Sequence, residues 1–349
     1  MKIIRQYNDT NFITGIRAIA ATMVVIIHTG AFSGWGSIGM AITYAGKYGV
    51  DIFFVIAGFT IAKTYAEANS FKGYCIRRFM RIAPLYYLAI TIAIIVTGLG
   101  LLSPQYFPDN LRAASGIYSW VTHVSFLSFF DYRVANSVLG VEWSIPIEVF
   151  WYITLPWLLI HTHFLIRTLL VILALIAIAL ALAYCAEKIL GTVLPVKLSP
   201  VAHGHLFLLG AWAFHARSRN LIQSGRLAGF LCGSVAAAVL IIMLIYFKGR
   251  GELLALATII LLVALEPKTS PTINYLLTTR PMLYVGSISY SIYLMHMVVF
   301  QLVQRLSLPF DSFTRFLIIY SLTIAVSSVT YALIERPFNS FGRKLALGS

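Results

Sequence analysis

Residues 13–30 read ITGIRAIAATMVVIIHTG, an apolar stretch interrupted by one arginine and one histidine. The stretch approaches the ~20 residues that a transmembrane helix needs. In a helix, Arg17 and His28 lie on one face, about 16 Å apart along the axis. Because an ionisable group costs several kcal/mol at membrane depth, we expect this face to look into protein or water. The sequence predicts that the function is located there.

The composition is typical of a multi-pass membrane protein. The chain has 349 residues, of which 59% are hydrophobic and 11% charged, and its mean hydropathy is +0.85. So few polar groups cannot cover a water-soluble globule. No stretch between the apolar runs is long and polar enough to form a separate soluble domain. We therefore predict an all-α, polytopic helical bundle in which residues 1–349 form a single membrane-embedded domain.

Apolar runs of near-spanning length predict about ten transmembrane helices. They lie at residues 12–29, 50–66, 84–102, 145–160, 165–185, 201–216, 227–247, 253–265, 282–303 and 313–334. Residues 117–130 are short and rich in polar side chains, so we expect them to be re-entrant or partly buried. With ten spans, 17 of the 26 Lys and Arg residues fall on the side of the N-terminus. This asymmetry favours cytoplasmic N- and C-termini.

The basic residues are best explained by membrane anchoring. The net charge is +14, but Lys and Arg stand singly or in small groups at the ends of apolar runs. We therefore expect the lipid bilayer, and no nucleic acid, as a partner. The three cysteines have no CxxC spacing, and the HxH pairs at 161–163 and 203–205 have no further ligands nearby. The sequence predicts no metal site.

Four ionisable residues fall toward the outer side of the predicted spans and could transfer protons. They are His28, Asp51, Glu148 and His296. Proton abstraction from a hydroxyl needs a base with a pKa near neutrality and an acidic group that fixes its tautomer. The alternative is that each residue caps a helix or satisfies a neighbour. For Asp51 and Glu148, which lie in first helical turns, the helix dipole alone would favour a carboxylate.

A group of arginines precedes the predicted span 84–102. The segment YCIRRFMRIAPLYYL contains Arg77, Arg78 and Arg81. Arg78 and Arg81 are neighbours on one helical face and could bind a pair of phosphates, with Arg17 entering at the same depth. Ordinary cytoplasmic anchoring explains the same residues. Coenzyme A, with phosphates at one end and a thin thioester arm, would fit between these arginines and the proton-transfer groups.

Six short motifs occur along the chain in a characteristic order. They are Arg-x10-His at 17–28, GVDIFFVIAGF at 49–59, RxxR with I-x-P-x-Y at 78–86, WSIPIEVFWY at 143–152, SYSIYLMH at 289–296 and IERPF at 334–338. Each resembles its counterpart in the acyltransferase family 3 of integral membrane proteins, although Ala57 stands where serine is usual. The resemblance covers nearly the whole chain.

The resemblance implies a multi-pass O-acetyltransferase of the cytoplasmic (inner) membrane. The donor would be cytoplasmic acetyl-CoA, and the acceptor a hydroxyl of a cell-surface polysaccharide or its lipid-linked precursor. His28 would be the catalytic base, with Glu148 and Asp51 in support, while Arg17, Arg78 and Arg81 would serve the donor. Some relatives carry an added soluble esterase-like domain, which we do not expect here.

Other functions explain some of the same residues. Other branches of the family modify macrolides or lipids. A proton-coupled transporter or flippase of a glycolipid would also use buried histidines and carboxylates, as proton relays. A purely structural role would leave the costly polar face of the first span without a use. Neither the acceptor nor the oligomeric state follows from the sequence.

Overall fold

The computed structural model describes residues 11–100, 116–161, 165–218, 258, 262, 271–307 and 309–347. Every regular element in these ranges is helical. The α-helices are α1 (Asn11–Thr29), α2 (Gly36–Ala45), α3 (Gly49–Ala66), α4 (Phe71–Gly98), α5 (Ile117–Val124), α6 (Ser144–His161), α7 (Leu165–Leu190), α8 (Leu194–Lys197), α9 (Pro200–Ser218), α10 (Pro271–Leu277), α11 (Arg280–Ser287), α12 (Ser289–Arg305), α13 (Ser312–Thr330) and α14 (Arg336–Leu347). A π-helical turn, Tyr331–Glu335, joins α13 to α14.

Several of these helices are suited to a lipid bilayer. Within the described ranges, five helical segments are long and apolar enough to cross a membrane, or six if α11 and α12 count as one span. The helical, multi-pass character of the chain is thereby confirmed. Two predicted spans lie outside the described residues. They are 227–247 and 253–265, the latter except for residues 258 and 262. The count of ten and the orientation of the termini stay predictions.

Two boundaries differ from the sequence analysis. The helix predicted at 84–102 begins earlier, at Phe71, because the Ser70 hydroxyl caps it by accepting the Gly73 N–H at 2.9 Å. Its arginines therefore lie inside the helix and not before it. The span predicted at 282–303 is interrupted at Ile288, which follows the last residue of α11 and precedes the first residue of α12. By contrast, α5 has only eight residues, too few to cross a bilayer, as expected.

The helices cluster into two compact units. The first unit contains Met1–Lys63, Leu206–Tyr290 and Phe310–Tyr320, and the second contains Thr64–His205, Ser291–Pro309 and Ser321–Ser349. The prediction of one membrane-embedded domain is not tested by this division and stays a prediction.

In the first unit, α1 is packed backbone to backbone against its neighbours. A Cβ added at Gly15 would clash with the carbonyl of Leu277 in α10, and one at Gly286 in α11 would clash with the carbonyl of Thr14. Glycine is required at both positions because the helix axes come so close. The first helix is thus held in a fixed register within its unit.

In the second unit, α4 and α6 carry most of the unit's predicted site residues. Helix α14 packs on α4, where a Cβ added at Gly342 would lie 2.6 Å from Cβ of Met80. Helix α6 is anchored by Trp151, whose indole N–H donates to the Pro200 carbonyl at 3.0 Å. These contacts fix the two helices that position the charged side chains described below.

Candidate functional site

The predicted site residues are divided between the two units. The first unit holds Arg17, His28 and Asp51, and the second holds Arg77, Arg78, Arg81, Glu148 and His296. Each unit therefore has its own set of ionisable groups and its own local chemistry.

Helix α1 carries Arg17 and His28 without interruption, as the sequence predicted. Both side chains are partly exposed, and helical geometry places them on one face. The Nδ1 atom of His28 lies 2.8 Å from the carbonyl oxygen of Val24. Because a carbonyl only accepts, Nδ1 carries the hydrogen, and Nε2 is the basic nitrogen of the neutral ring. This tautomer suits a general base.

Asp51 lies in the first turn of α3, which begins alongside α1. A Cβ at Gly49 would lie 2.5 Å from the Ala20 carbonyl and 2.9 Å from Cγ2 of Val24. The backbone carbonyl of Val24 is also the partner of His28. Unit 1 therefore brings the helical turn that bears Asp51 to the part of α1 that leads into His28.

In the second unit, Arg78 lies in a cage of aromatic and hydroxyl groups. Its side chain is only 6% exposed. The guanidinium carbon lies 5.7 Å from the ring centre of Tyr74 and 5.1 Å from that of Tyr152. The guanidinium also donates to the Thr64 hydroxyl. Cation–π contacts of this kind are worth most when the cation is removed from water.

Glu148 reaches the same cage through Tyr152. The Tyr152 hydroxyl donates to Oε1 of Glu148, one helical turn earlier in α6. From the sequence we expected Glu148 toward the outer side of its span, and the arginines at the inner side, immediately before the predicted span 84–102. That separation was wrong, because α4 begins at Phe71 and carries Arg78 inside the helix, against the tyrosine that also holds Glu148.

The other arginines are less enclosed than Arg78. Arg77 and Arg81 are partly exposed. Arg81 lies close enough to Tyr152 to interact electrostatically with its hydroxyl. Arg78 and Arg81, the pair expected on one helical face, therefore both lie near Tyr152.

His296 is fully buried in α12. Its Nδ1 lies 3.1 Å from the carbonyl oxygen of Ile292, and its ring centre is 6.1 Å from that of Tyr293. The Tyr293 hydroxyl lies 2.8 Å from the Ser144 hydroxyl at the start of α6 and interacts electrostatically with Glu148. Tyr293 thus connects the surroundings of His296 and Glu148.

Sequence reasoning missed a buried acidic group next to this region. Glu142 and His123 are both fully buried, and Nε2 of His123 lies 3.5 Å from Oε1 of Glu142. Nδ1 of His123 lies 2.6 Å from the Ser119 carbonyl. Glu142 accepts three backbone N–H groups at 2.7–3.0 Å, those of Val138, Leu139 and Val141. The position of Glu142 directly before the WSIPIEVFWY motif was its only signal.

No metal centre is found in the part of the chain that the structure describes. There, no group of three or more His, Cys, Asp or Glu side chains could hold a metal ion.

Comparison with known proteins identifies the class. The family model described as an acyltransferase domain, that of acyltransferase family 3, matches residues 10–332. The chain belongs to this family. It is 25% identical over 95% of its length to the peptidoglycan O-acetyltransferase OatA of Listeria monocytogenes serovar 1/2a. It is equally similar, over 95% of its length, to a Bacillus subtilis (strain 168) protein provisionally named peptidoglycan O-acetyltransferase YrhL.

The coverage of these relatives is partial. The chain spans 56% of the length of each of the two peptidoglycan O-acetyltransferases. A third relative, Nodulation protein 10 of Rhizobium leguminosarum bv. viciae, is 31% identical over 32% of this chain and 32% of its own length. No solved structure matches the chain.

Proposed function

We propose that the protein is a membrane O-acetyltransferase that moves an acetyl group from cytoplasmic acetyl-CoA to a hydroxyl of an envelope polysaccharide, such as peptidoglycan, or its lipid-linked precursor. The proposal includes one membrane-embedded domain of ten spans in the cytoplasmic (inner) membrane, with both termini cytoplasmic. It is supported by the family match and by the names of the two relatives that align with nearly the whole chain. The observation that carries it is the 2.8 Å contact between Nδ1 of His28 and the Val24 carbonyl oxygen on a continuous α1, which leaves Nε2 as the basic nitrogen.

In the proposed reaction, Nε2 of His28 takes the proton of the acceptor hydroxyl. The acceptor oxygen bonds to the acetyl carbonyl carbon as the carbon–sulfur bond breaks, and the leaving CoA thiolate takes the proton from the imidazolium. The Val24 carbonyl holds the ring through Nδ1. Asp51, on the helix that begins beside α1, would stabilise the imidazolium.

The arginines would bind the donor. Arg78 and Arg81 would contact the phosphates of acetyl-CoA, with Arg17 and Arg77 adding positive charge, because a guanidinium fork matches phosphate oxygens. The cage fits this role, since Tyr74, Tyr152 and Thr64 hold the Arg78 side chain in place before any ligand binds. Glu148 and His296 would supply further proton-transfer groups on the donor side.

Replacing His28 tests the proposal. In membrane vesicles given radiolabelled acetyl-CoA, His28→Ala should lower transfer to glycan by about 100-fold or more, as expected for loss of a general base. The amount of protein in the membrane should not change. A suitable control is Thr29→Ala, the next residue, whose hydroxyl bonds to the Val25 carbonyl in its own helix at 2.8 Å.

Two outcomes would contradict the proposal. Full transfer by His28→Ala would remove this residue from the mechanism. Movement of a glycolipid across the vesicle membrane, with no labelled acetyl group attached to it, would instead support the transporter.

A further inference from the structure

We propose that Tyr152 is a positioning residue that fixes Glu148 relative to Arg78, so that a donor bound by the arginine meets the carboxylate in one defined geometry. This inference rests on the proposed function. It assigns a role to a side chain that is 5% exposed and has no proton-transfer role of its own in the proposed reaction.

The two ends of Tyr152 serve different partners. Its hydroxyl donates to Oε1 of Glu148, and its ring lies 5.1 Å below the guanidinium carbon of Arg78. A tyrosine ring is rigid, with few rotatable bonds. The carboxylate and the guanidinium are therefore held apart by a spacer of fixed length.

The position of Tyr152 itself is set by a proline. In an α-helix, the carbonyl of Tyr152 would accept the N–H of residue 156, but Pro156 has none. The Tyr74 hydroxyl takes its place, donating to the Tyr152 carbonyl at 3.1 Å. Pro156 thus creates an acceptor in the middle of α6, and Tyr74 attaches α4 to it.

This attachment aligns two pairs of side chains. Tyr74 and Arg78 are one turn apart on α4, as Glu148 and Tyr152 are on α6, so each pair shares a helical face. Because Tyr74 and Arg78 share a face of α4, the hydrogen bond from Tyr74 to the Tyr152 carbonyl also places Arg78 against the Tyr152 ring. In a buried site with low dielectric such polar contacts reinforce one another. The alignment explains how one residue contacts both charged groups.

The test is a steady-state analysis of the purified full-length protein with acetyl-CoA as donor and glycan from the producing cells as acceptor. Tyr152→Phe keeps the ring and loses the hydroxyl. We expect kcat to fall about tenfold, which matches the loss of one hydrogen bond to a charged group, while KM for acetyl-CoA changes less than about twofold. Tyr152→Leu, which also removes the ring, should raise KM as well.

A double-mutant cycle shows whether Tyr152 acts through Glu148. If it does, Tyr152→Phe combined with Glu148→Gln should be no slower than Glu148→Gln alone. The matched control is Tyr87→Phe, a partly exposed tyrosine of α4 whose ring packs 5.5 Å from that of Phe126. We expect its kcat and KM to equal those of the wild type.

Three results would separate the possible failures. Wild-type kcat in Tyr152→Phe, or effects of Tyr152→Phe and Glu148→Gln that multiply in the double variant, would overturn the role of Tyr152. No acetyl transfer by the wild type would instead contradict the proposed function. If Tyr152→Phe did not fold, Tyr74→Phe would decide, because it removes the hydroxyl that donates to the Tyr152 carbonyl and leaves Tyr152 itself in place. Wild-type kcat and KM in that variant would refute the alignment of Arg78 with Tyr152.

Discussion

Glu142 and Glu148 are close neighbours in the sequence, yet different kinds of donor hold them. Glu142 is fully buried and accepts three backbone N–H groups, with a histidine ring facing it. Glu148 is partly exposed and, among the described residues, accepts one hydrogen bond, from the Tyr152 hydroxyl. An ionised carboxylate has about four acceptor positions. Glu142 has filled most of its acceptor capacity with the backbone, while Glu148 uses one position, and we expect the rest of its capacity to be available to a substrate.

This difference separates a carboxylate that builds the fold from one suited to chemistry. The donors of Glu142 belong to the turn that precedes α6, so these hydrogen bonds hold that turn together. The donor of Glu148 is a side chain that also contacts Arg78. Substitutions at the two positions should therefore affect different measurements, stability at the first and turnover at the second.

The largest effect is expected from Glu142→Ala. The substitution leaves three backbone donors without their acceptor, and each buried donor that loses its partner costs about 1–3 kcal/mol. The thermal unfolding midpoint of the purified protein should fall sharply. The unfolding midpoint of Glu142→Gln, which keeps one acceptor oxygen, should fall less. An unfolding midpoint equal to that of the wild type would show that the turn does not depend on this carboxylate.

Glu148→Gln should lower activity and spare stability. We expect acetyl transfer to fall about 100-fold, within the range for a group that takes part in proton transfer. The unfolding midpoint should stay at the wild-type value, because the amide oxygen can still accept from Tyr152. Glu187→Gln, at an exposed position of α7, is the control for a change in charge. If Glu148→Gln instead lost much stability and kept normal turnover, Glu148 would be the carboxylate that supports the fold, contrary to the comparison with Glu142.

Tyr293→Phe tests a second hydrogen bond that supports the turn around Glu142. The Tyr293 hydroxyl donates to the Val141 carbonyl at 2.5 Å, and its loss would leave a buried acceptor without its donor. A cost of about 1–2 kcal/mol in the free energy of unfolding is expected. Thermal unfolding should place this variant between the wild type and Glu142→Ala. An effect larger than that of Glu142→Ala would mean that the carboxylate is not the main support of the turn.

The smallest effect is expected at Asp131, a partly exposed carboxylate paired with an exposed arginine. Hydrogen bonds from the Arg133 guanidinium, at 2.9 and 3.0 Å, hold the pKa of Asp131 below its ordinary value of 3.8. The pair therefore stabilises the fold above that ordinary value, and this stability is lost as the pH falls through the lower pKa of the folded state. Because the Arg133 side chain is 57% exposed, Asp131→Asn should cost less than about 1 kcal/mol at pH 7.

Unfolding at two pH values checks this expectation. The difference between Asp131→Asn and the wild type should be measurable near neutral pH and should vanish once the pH lies below the folded-state pKa of Asp131. A difference that persists in acid would assign the effect to something other than the charge.

The first helix and the arginine-bearing helix were readable from the sequence, but contacts between helices were not. Hydrophobic length gave α1 with Arg17 and His28, because a span is a local property. The early start of α4 was missed, since its signal is a single capping serine, Ser70, beside polar residues. Glu142 was missed because its donors are backbone N–H groups, which no side-chain pattern reveals.

Only some of the contacts made by Tyr152 could be predicted from the sequence. Because Pro156 has no N–H, the sequence predicts that the carbonyl one turn earlier, that of Tyr152, has no donor within its own helix. Nothing local to α6 tells that Tyr74, far away in the chain, supplies the missing hydroxyl. Only the tertiary structure shows where two helices meet. It was needed to see that Glu148 and Arg78 both contact Tyr152, one at the hydroxyl and the other at the ring.

The close approach at Gly15 and Gly286 limits how α1 can move. With carbonyl groups seated where side chains would otherwise be, α1 cannot roll about its axis or slide past α10 and α11 without lifting away from both. If the proposed reaction takes place at His28, any opening that admits its substrates must move these three helices as one body or leave them still. The position of His28 within the first unit is therefore set by α1, α10 and α11 together.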